Sequence, residues 1–390
     1  MKFNKLITAL SISLLTITGC NSKGDNKKTE DNKIVDTVEV DLTNKTKEQL
    51  ISIEKLQLEV DEQYNFKKLL TENPTNINNY SFVIGNPAKL EMSALDSNNN
   101  IYAKGLEVGN LNLYVFYENT NTGKTFYQKL EVNVFEKGGL SADYTFDYGR
   151  LAGKNVVIFG DSVTVGAGVS TNKRYWELLR DELEFKGVKS FAVGGTTMTY
   201  MYDGSHIKNE YYSGFGRHFN GTSFITVPTT QEKVNNYTSN EDKLTASAIG
   251  NEARIKATDY LIIFYGHNDM YFQVPIGTTE YLPKNLNQCT TFKASYAYAL
   301  NYIKSVNPDV RILLLAPQYS EYAPNASYNK NITYADYRNA IKDMAAYYKV
   351  KCIDLWDESA VANQSEPILQ DAVHPNNYGH RVIADIIKKH

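Results

Sequence analysis

Only three cysteines occur in 390 residues, too few for a disulfide-stapled scaffold or a four-cysteine zinc site. Charge of neither sign dominates. The 41 Lys and Arg against 44 Asp and Glu leave a formal charge of −3. No basic excess points to a nucleic-acid partner, and no strong acidity to a solvating tail. There is no H-E-x-x-H motif, and His206, His218, His380 and His390 have no metal-like spacing, so no metal is expected. There is no G-x-S-x-G elbow either, which argues against the α/β-hydrolase fold. Long apolar runs are missing except at the extreme N-terminus. What is present is the composition of a folded globular protein, 42% hydrophobic and 22% charged. The length fits two or three domains of about 150 residues.

The N-terminal run reads as an address. Lys2 and Lys5 precede an apolar stretch from Leu6 to Ile17, shorter than the roughly 20 residues that span a bilayer. It ends in Ile17-Thr18-Gly19-Cys20, which resembles a bacterial lipobox. The resemblance implies that residues 1–20 are a lipoprotein signal and that the Cys20 thiol is acylated. From Asn21 to Lys33 no residue is apolar, so this tract cannot bury a core. Residues 21–50 are read as a flexible tether. The expected location is extracytoplasmic, on a membrane surface held through the lipid anchor.

From 51 to 136 the pattern is short and alternating. Leu56-Gln57-Leu58-Glu59-Val60, Leu111-Asn112-Leu113-Tyr114-Val115 and Leu130-Glu131-Val132-Asn133-Val134 have the period of half-buried strands. Turn formers at Asn73-Pro74, Asp96 to Asn100 and Asn119 to Gly123 separate them. A small β-sandwich is expected. The run from Asn98 to Asn119 resembles the C-terminal half of a bacterial immunoglobulin-like domain. Its role is open between a spacer and a carbohydrate- or wall-binding module. Residues 137–153 read as a linker.

From 154 to 390 the pattern becomes α/β. Apolar strands are expected at Val156–Phe159, Val188–Val193, Tyr260–Tyr265, Val310–Leu315 and Val350–Leu355. Helices are expected at Arg174–Lys186, Phe292–Val306, Tyr334–Tyr348 and Tyr378–Lys389. Alternation of this kind implies a five-stranded parallel sheet covered on both faces. Ligands of such sheets bind beyond the carboxyl ends of the strands.

Four blocks fall at such ends or late in the chain. Gly160-Asp161-Ser162 places a serine directly after the first strand. Gly194-Gly195 follows the second, and Gly195 lets the backbone approach a ligand closely and offer its N–H. Gly266-His267-Asn268-Asp269 follows the third, and Asn268 is a neutral amide donor. Asp371-Ala372-Val373-His374 puts a carboxylate and an imidazole on one turn. The carboxylate can hold one ring nitrogen while the other faces a serine.

Each block alone is weak. In this order they resemble the SGNH (GDSL-type) esterase and lipase family, named for Ser, Gly, Asn and His in these four blocks. The resemblance covers about Lys154 to His390 and implies a three-layer α/β/α domain. It also implies Ser162 as nucleophile, His374 as general base and then acid, and Asp371 as the group that orients His374. The N–H groups of Ser162 and Gly195 and the Asn268 amide would form the oxyanion hole, with no cofactor.

Asp161 and Asp269 are read as shaping their loops. His267 is left open between a loop residue and a substrate contact, and His380 as structural. Cys289 and Cys352 are read as thiols. Met198 to Phe224 is a long insertion, either a wall or lid for substrate or surface decoration. The Gly266–Asp269 wording resembles carbohydrate acetylesterases of the family, so the expected substrate is an acylated glycan or small molecule. A lipase or lysophospholipase is the alternative enzyme. A non-catalytic glycan-binding lipoprotein is the alternative of another class.

Overall fold

Apolar alternation on both faces of a strand requires cover on both sides, and this rule organises the C-terminal half. The computed structural model describes residues 34–70, 79–140, 146–192, 194–199, 255–284, 288–324, 326 and 330–390. The signal segment, Cys20 and the start of the tether lie outside these residues. So do Asn73-Pro74, Val193 and residues 200–224 of the insertion.

The N-terminal part contains β1 (Thr46–Lys47), β2 (Lys55–Glu59), β3 (Gln63–Asn65), β4 (Tyr80–Ile84), β5 (Leu90–Met92), β6 (Tyr102–Gly105), β7 (Gly109–Asn119) and β8 (Lys124–Phe135). One sheet runs β1-β8-β7-β4, with β2 also on β8. A second runs β3-β6-β5. Leu56, Leu58, Leu111, Leu113, Val115, Leu130, Val132 and Val134 form the core with Tyr64, Phe66, Leu90 and Ala103 of the other layer. The tether expected to reach residue 50 is structured from residue 34. Asp36 accepts from Asn112 N at 2.9 Å and Asn112 Nδ2 at 2.6 Å, which buries the polar face of β7 that alternation alone would leave in water.

The C-terminal part contains α1 (Tyr148–Leu151), β9 (Asn155–Gly160), α2 (Ser162–Val165), α3 (Tyr175–Glu182), β10 (Gly187–Ser190), β11 (Tyr260–Phe264) and α4 (His267–Tyr271). It continues with α5 (Phe292–Val306), β12 (Arg311–Ala316), α6 (Tyr334–Tyr348), β13 (Lys351–Asp354), α7 (Trp356–Ser359) and α8 (Asn377–Lys389). The sheet order is β10-β9-β11-β12-β13, all parallel. Phe159, Leu261, Ile263, Ile312 and Leu314 pack on α5 and α6. Ile158, Ile262, Phe264, Leu313 and Leu315 pack on α1, α3 and α8. The chain turns back between β9 and β11, on whose two sides β10 and β12 lie, and this reversal of strand order opens a crevice at the strand ends.

The expected linker 137–153 is only partly a linker. Asp147 caps α1, and Phe146, Tyr148, Leu151 and Ala152 belong to the second core of the α/β part. Residues 34–390 form one compact unit. Its two halves meet at the starts of the parallel strands. Glu62 receives Arg150 Nη1 and Arg311 Nη1, each at 2.6 Å. Burial pushes the Glu62 carboxyl up, but the two guanidinium groups and the Glu59 N–H outweigh it and hold it below its ordinary value. Lys68 bonds the Glu182 carbonyl and pairs with Glu184.

Candidate active site

β9 delivers Ser162 to the crevice. A Cβ at Gly160 would stand 2.1 Å from Thr164 Oγ1, so only glycine fits where the strand turns into α2. Asp161 caps that turn, its carboxylate accepting from Val163 N at 2.9 Å. Ser162 is the first residue of α2. Its N–H therefore has no intrahelical acceptor and is available to a ligand.

Asp371 and His374 sit on a tight hairpin. Leu369 bridges Pro375, and Gln370 N donates to the His374 carbonyl at 2.9 Å. Asp371 Oδ1 accepts from Val373 N at 2.8 Å and His374 N at 2.7 Å. Its Oδ2 is 2.7 Å from His374 Nδ1, and His374 Nε2 is 2.9 Å from Ser162 Oγ. Burial pushes the Asp371 carboxyl up. The two backbone N–H groups and the imidazole outweigh it and leave it below its ordinary value. An ionised carboxylate needs a proton on Nδ1, which leaves the Nε2 lone pair to the serine hydroxyl. The three residues thus make one hydrogen-bonded chain able to deprotonate a serine.

The hairpin is pinned by residues that the sequence did not single out. Ser320 Oγ and Glu321 N donate to the Ala372 carbonyl at 3.0 and 2.8 Å, and Gln318 Nε2 to the Val373 carbonyl at 3.1 Å. All three follow β12, and their position just past a strand end is the signal that could have marked them.

Gly195 follows β10 and Asn268 follows β11, the two neighbours of β9, so both flank Ser162 in the strand order. Gly195 has φ of 76°, a backbone that favours glycine. Asn268 Nδ2 donates to the Thr196 carbonyl at 2.8 Å, and its second N–H remains for another acceptor. Asp269 is fully buried and accepts from Met198 N, Thr199 N and Thr199 Oγ1 at 2.8, 3.2 and 2.8 Å. Burial pushes its carboxyl up to about 7, against the pull of these donors. Asp269 thereby ties the Gly195 segment to α4.

His267 is neither a loop residue nor a surface for substrate. It is buried, 3.7 Å from the Asp161 carboxylate, with its ring edge-on to Phe264 and Tyr334. His380 is structural. Its Nδ1 accepts from Tyr175 N at 3.1 Å, and burial, with Arg174 and His374 adding to it, pushes it down to about 3. Cys289 and Cys352 are both thiols, each pushed up to about 12 by burial. His206 and His218 lie outside the described residues.

The model of the GDSL-like lipase/acylhydrolase family matches residues 158–382. The chain belongs to this family. It is an ester hydrolase of the GDSL type, and the matched residues run from within β9 into α8. Similar solved structures include a protein from Lactobacillus plantarum, at 20% identity and TM-score 0.42, covering 61% of this chain and 96% of that one. A member of the lipolytic G-D-S-L family from Veillonella parvula has 13% identity and TM-score 0.35, covering 60% and 96%. The lipase/acylhydrolase from Enterococcus faecalis has 15% identity and TM-score 0.35, covering 60% and 94%. A search of curated proteins gives no match.

Proposed function

We propose that this GDSL-type enzyme is a lipid-anchored, extracytoplasmic serine esterase that O-deacetylates a polysaccharide through an acyl-serine. The hydrogen-bonded chain from Asp371 through His374 to Ser162 carries the reading. Ser162 Oγ attacks the ester carbonyl carbon as its proton passes to His374 Nε2. Asp371 stabilises the imidazolium. The negative oxygen of the tetrahedral intermediate is met by the N–H groups of Ser162 and Gly195 and the free N–H of Asn268. One such donor is worth about 3–4 kcal/mol. Collapse breaks the bond to the alcohol oxygen, which takes the proton from His374. Water then attacks the acyl-serine with His374 as base; collapse breaks the bond to Ser162 Oγ, which takes the proton back from His374, and the carboxylic acid departs.

The glycan part of the reading is supported by the Gly266–Asp269 wording and by the lipobox-like Ile17–Cys20, which would hold the enzyme at a surface. The immunoglobulin-like resemblance of residues 98–119 suits a spacer there. A lipase or lysophospholipase is the second reading, favoured by the family's breadth. A profile of acetyl, octanoyl and palmitoyl esters separates the two. Acetyl esters are expected to react far faster, since each acyl methylene needs apolar cover worth about 0.8 kcal/mol. A specificity constant rising steadily to eight carbons or beyond would favour the lipase. Complete inactivity on every ester would leave the non-catalytic lipoprotein. Fractionation of a Cys20→Ser variant tests the anchor, since a variant that still partitions with membranes after cleavage is held elsewhere.

A further inference from the structure

β9 and β11 are paired as far as Gly160 and Phe264, and the ladder ends there. Ser162 and Asn268 stand beyond that end, so the sheet no longer sets the spacing of these two oxyanion donors. Asp269 ties the Asn268 helix to the Gly195 side. On the Ser162 side a different pair of side chains meets. Asp161 caps α2 and His267 opens α4, and each is only 1% exposed. Asp161 Oδ2 lies 3.7 Å from His267 Nδ1, within ion-pair reach and about 0.8 Å beyond a hydrogen bond. Neither ring nitrogen nor Asp161 Oδ2 has a hydrogen-bond partner among the described residues. Phe264 and Tyr334 wall the ring edge-on, each at 5.9 Å. A histidine kept for packing alone would be better served by an apolar ring, which buries no unpaired nitrogen. His380, by contrast, spends its Nδ1 on Tyr175 N.

We propose that His267 is a positioning residue for the oxyanion hole: paired with Asp161, it sets the distance between the Asn268 amide and the Ser162 N–H. The inference rests on the acyl-serine steps and is independent of the glycan. Asp161 Oδ1 already takes Val163 N at 2.9 Å, which leaves Oδ2 to the imidazole. One carboxylate thus grips the turn of the nucleophile and the helix of the amide donor. Aromatic walls exclude water from the pair and strengthen it. Catalytic contacts are often long in the free enzyme and tighten in the transition-state complex. An oxygen that pulls on both donors draws their carriers together and closes the gap between Asp161 and His267.

The test measures p-nitrophenyl acetate hydrolysis by the full chain, His267→Phe and His267→Asn, each well below its melting range. A wild type without turnover would remove the acyl-serine reading and this proposal with it. Phenylalanine fills the space of the ring but cannot meet Asp161. It should lower kcat by about 10–100-fold with KM changed by less than about threefold. The asparagine amide nitrogen takes the place of Nδ1 but leaves a cavity where the rest of the ring stood. That variant should melt below wild type yet keep kcat within about fivefold. A role in packing alone would reverse this order. A His267→Phe kcat within about threefold of wild type, or an asparagine variant as slow as the phenylalanine one, would overturn the proposal and leave the acyl-serine reading standing. If His267→Phe does not fold, His267→Leu is read by the same split. Failure of both to fold would also overturn it, since the contact would then serve the fold.

Discussion

Asp371→Asn probes the catalytic chain with the least disturbance. Asp371 Oδ1 takes two backbone N–H groups, and an asparagine Oδ1 keeps both, so the hairpin should survive. The change falls on Oδ2, 2.7 Å from His374 Nδ1. An amide NH₂ there donates instead of accepting, so Nδ1 must present its lone pair and Nε2 must carry the proton. That tautomer cannot accept the Ser162 proton. In a buried triad the same change costs about 10⁴ in kcat. Here the Asp371 side chain is 52% exposed and that of His374 23%, so water shares in stabilising the imidazolium and the electrostatic part is smaller. We expect a loss of about 10²–10³, or about 3–4 kcal/mol of barrier, with KM changed by less than about threefold. Initial rates on p-nitrophenyl acetate at mildly alkaline pH measure it, with thermal melting as the control. A kcat within threefold of wild type, in a variant that melts normally, would remove Asp371 from the mechanism.

Ser162→Ala should lower activity by several orders of magnitude with little change in Tm, and a fluorophosphonate should label the wild type alone; substantial residual turnover would point to another nucleophile. Glu62→Ala removes the carboxylate that Arg150 and Arg311 share, leaving Arg311 to Glu59 at 3.4 Å and Arg150 to Asp147 at 3.9 Å. It should cost about 1–3 kcal/mol of stability without changing kcat, and a Tm within a degree of wild type would contradict the bridge. Asp269 is raised to about 7 in the fold from an ordinary 3.8. Between these values the folded state binds the extra proton, so this group's contribution to stability falls as pH rises. The Tm of Asp269→Asn relative to wild type should therefore climb from pH 5 to pH 8, and a flat difference would refute it. A segment starting at Lys154 lacks Phe146, Tyr148 and Leu151 of the second core. It should melt well below the full chain or fail to fold, and a stable, fully active segment would show the two halves to be independent.

The long elements were legible because several signals agree on them. Phe292–Val306 and Tyr334–Tyr348 are read from sequence with the ends the structure has, and there Thr291 and Thr333 cap them. The central parallel strands β9, β11 and β12 were legible as apolar runs, whereas the edge strands β10 (Gly187–Ser190) and β13 (Lys351–Asp354) are half-buried and carry polar residues, so their ends were less so. The Asp371–His374 hydrogen bond was legible because the two residues are three apart, so local geometry does most of the work. α4 was not, because five residues make too little of a period, and a block read as a loop conceals that His267 points into the core. Ser320 and Gln318 were hidden because their partners are carbonyls, which leave no mark on the side-chain pattern.

The docking of the two halves was also unreadable, for a physical reason that bears on function. Glu59 and Glu62 alternate or turn as surface residues do, and nothing near them in sequence announces Arg311 some 250 positions away. The contacts fall at the starts of strands: Arg311 opens β12, Arg150 precedes β9, and Glu184, the partner of Lys68, precedes β10. A parallel sheet has unlike ends, and Ser162, Asn268 and Ser320 all follow the opposite end. β12 has six residues, which at about 3.3 Å each puts about 20 Å between its start and its end. The β part therefore cannot lend a side chain to the chemistry through this interface. Its effect on the reaction runs through stability, by closing the floor of the α/β core and neutralising the buried arginines beneath it. Interface and active-site substitutions should accordingly add in free energy, since sites this far apart with no shared partners rarely couple. The double variant Glu62→Ala with Asp371→Asn, assayed below its melting range, should show the kcat of Asp371→Asn alone. A kcat that departs from it severalfold would mean that the strand starts communicate with the strand ends.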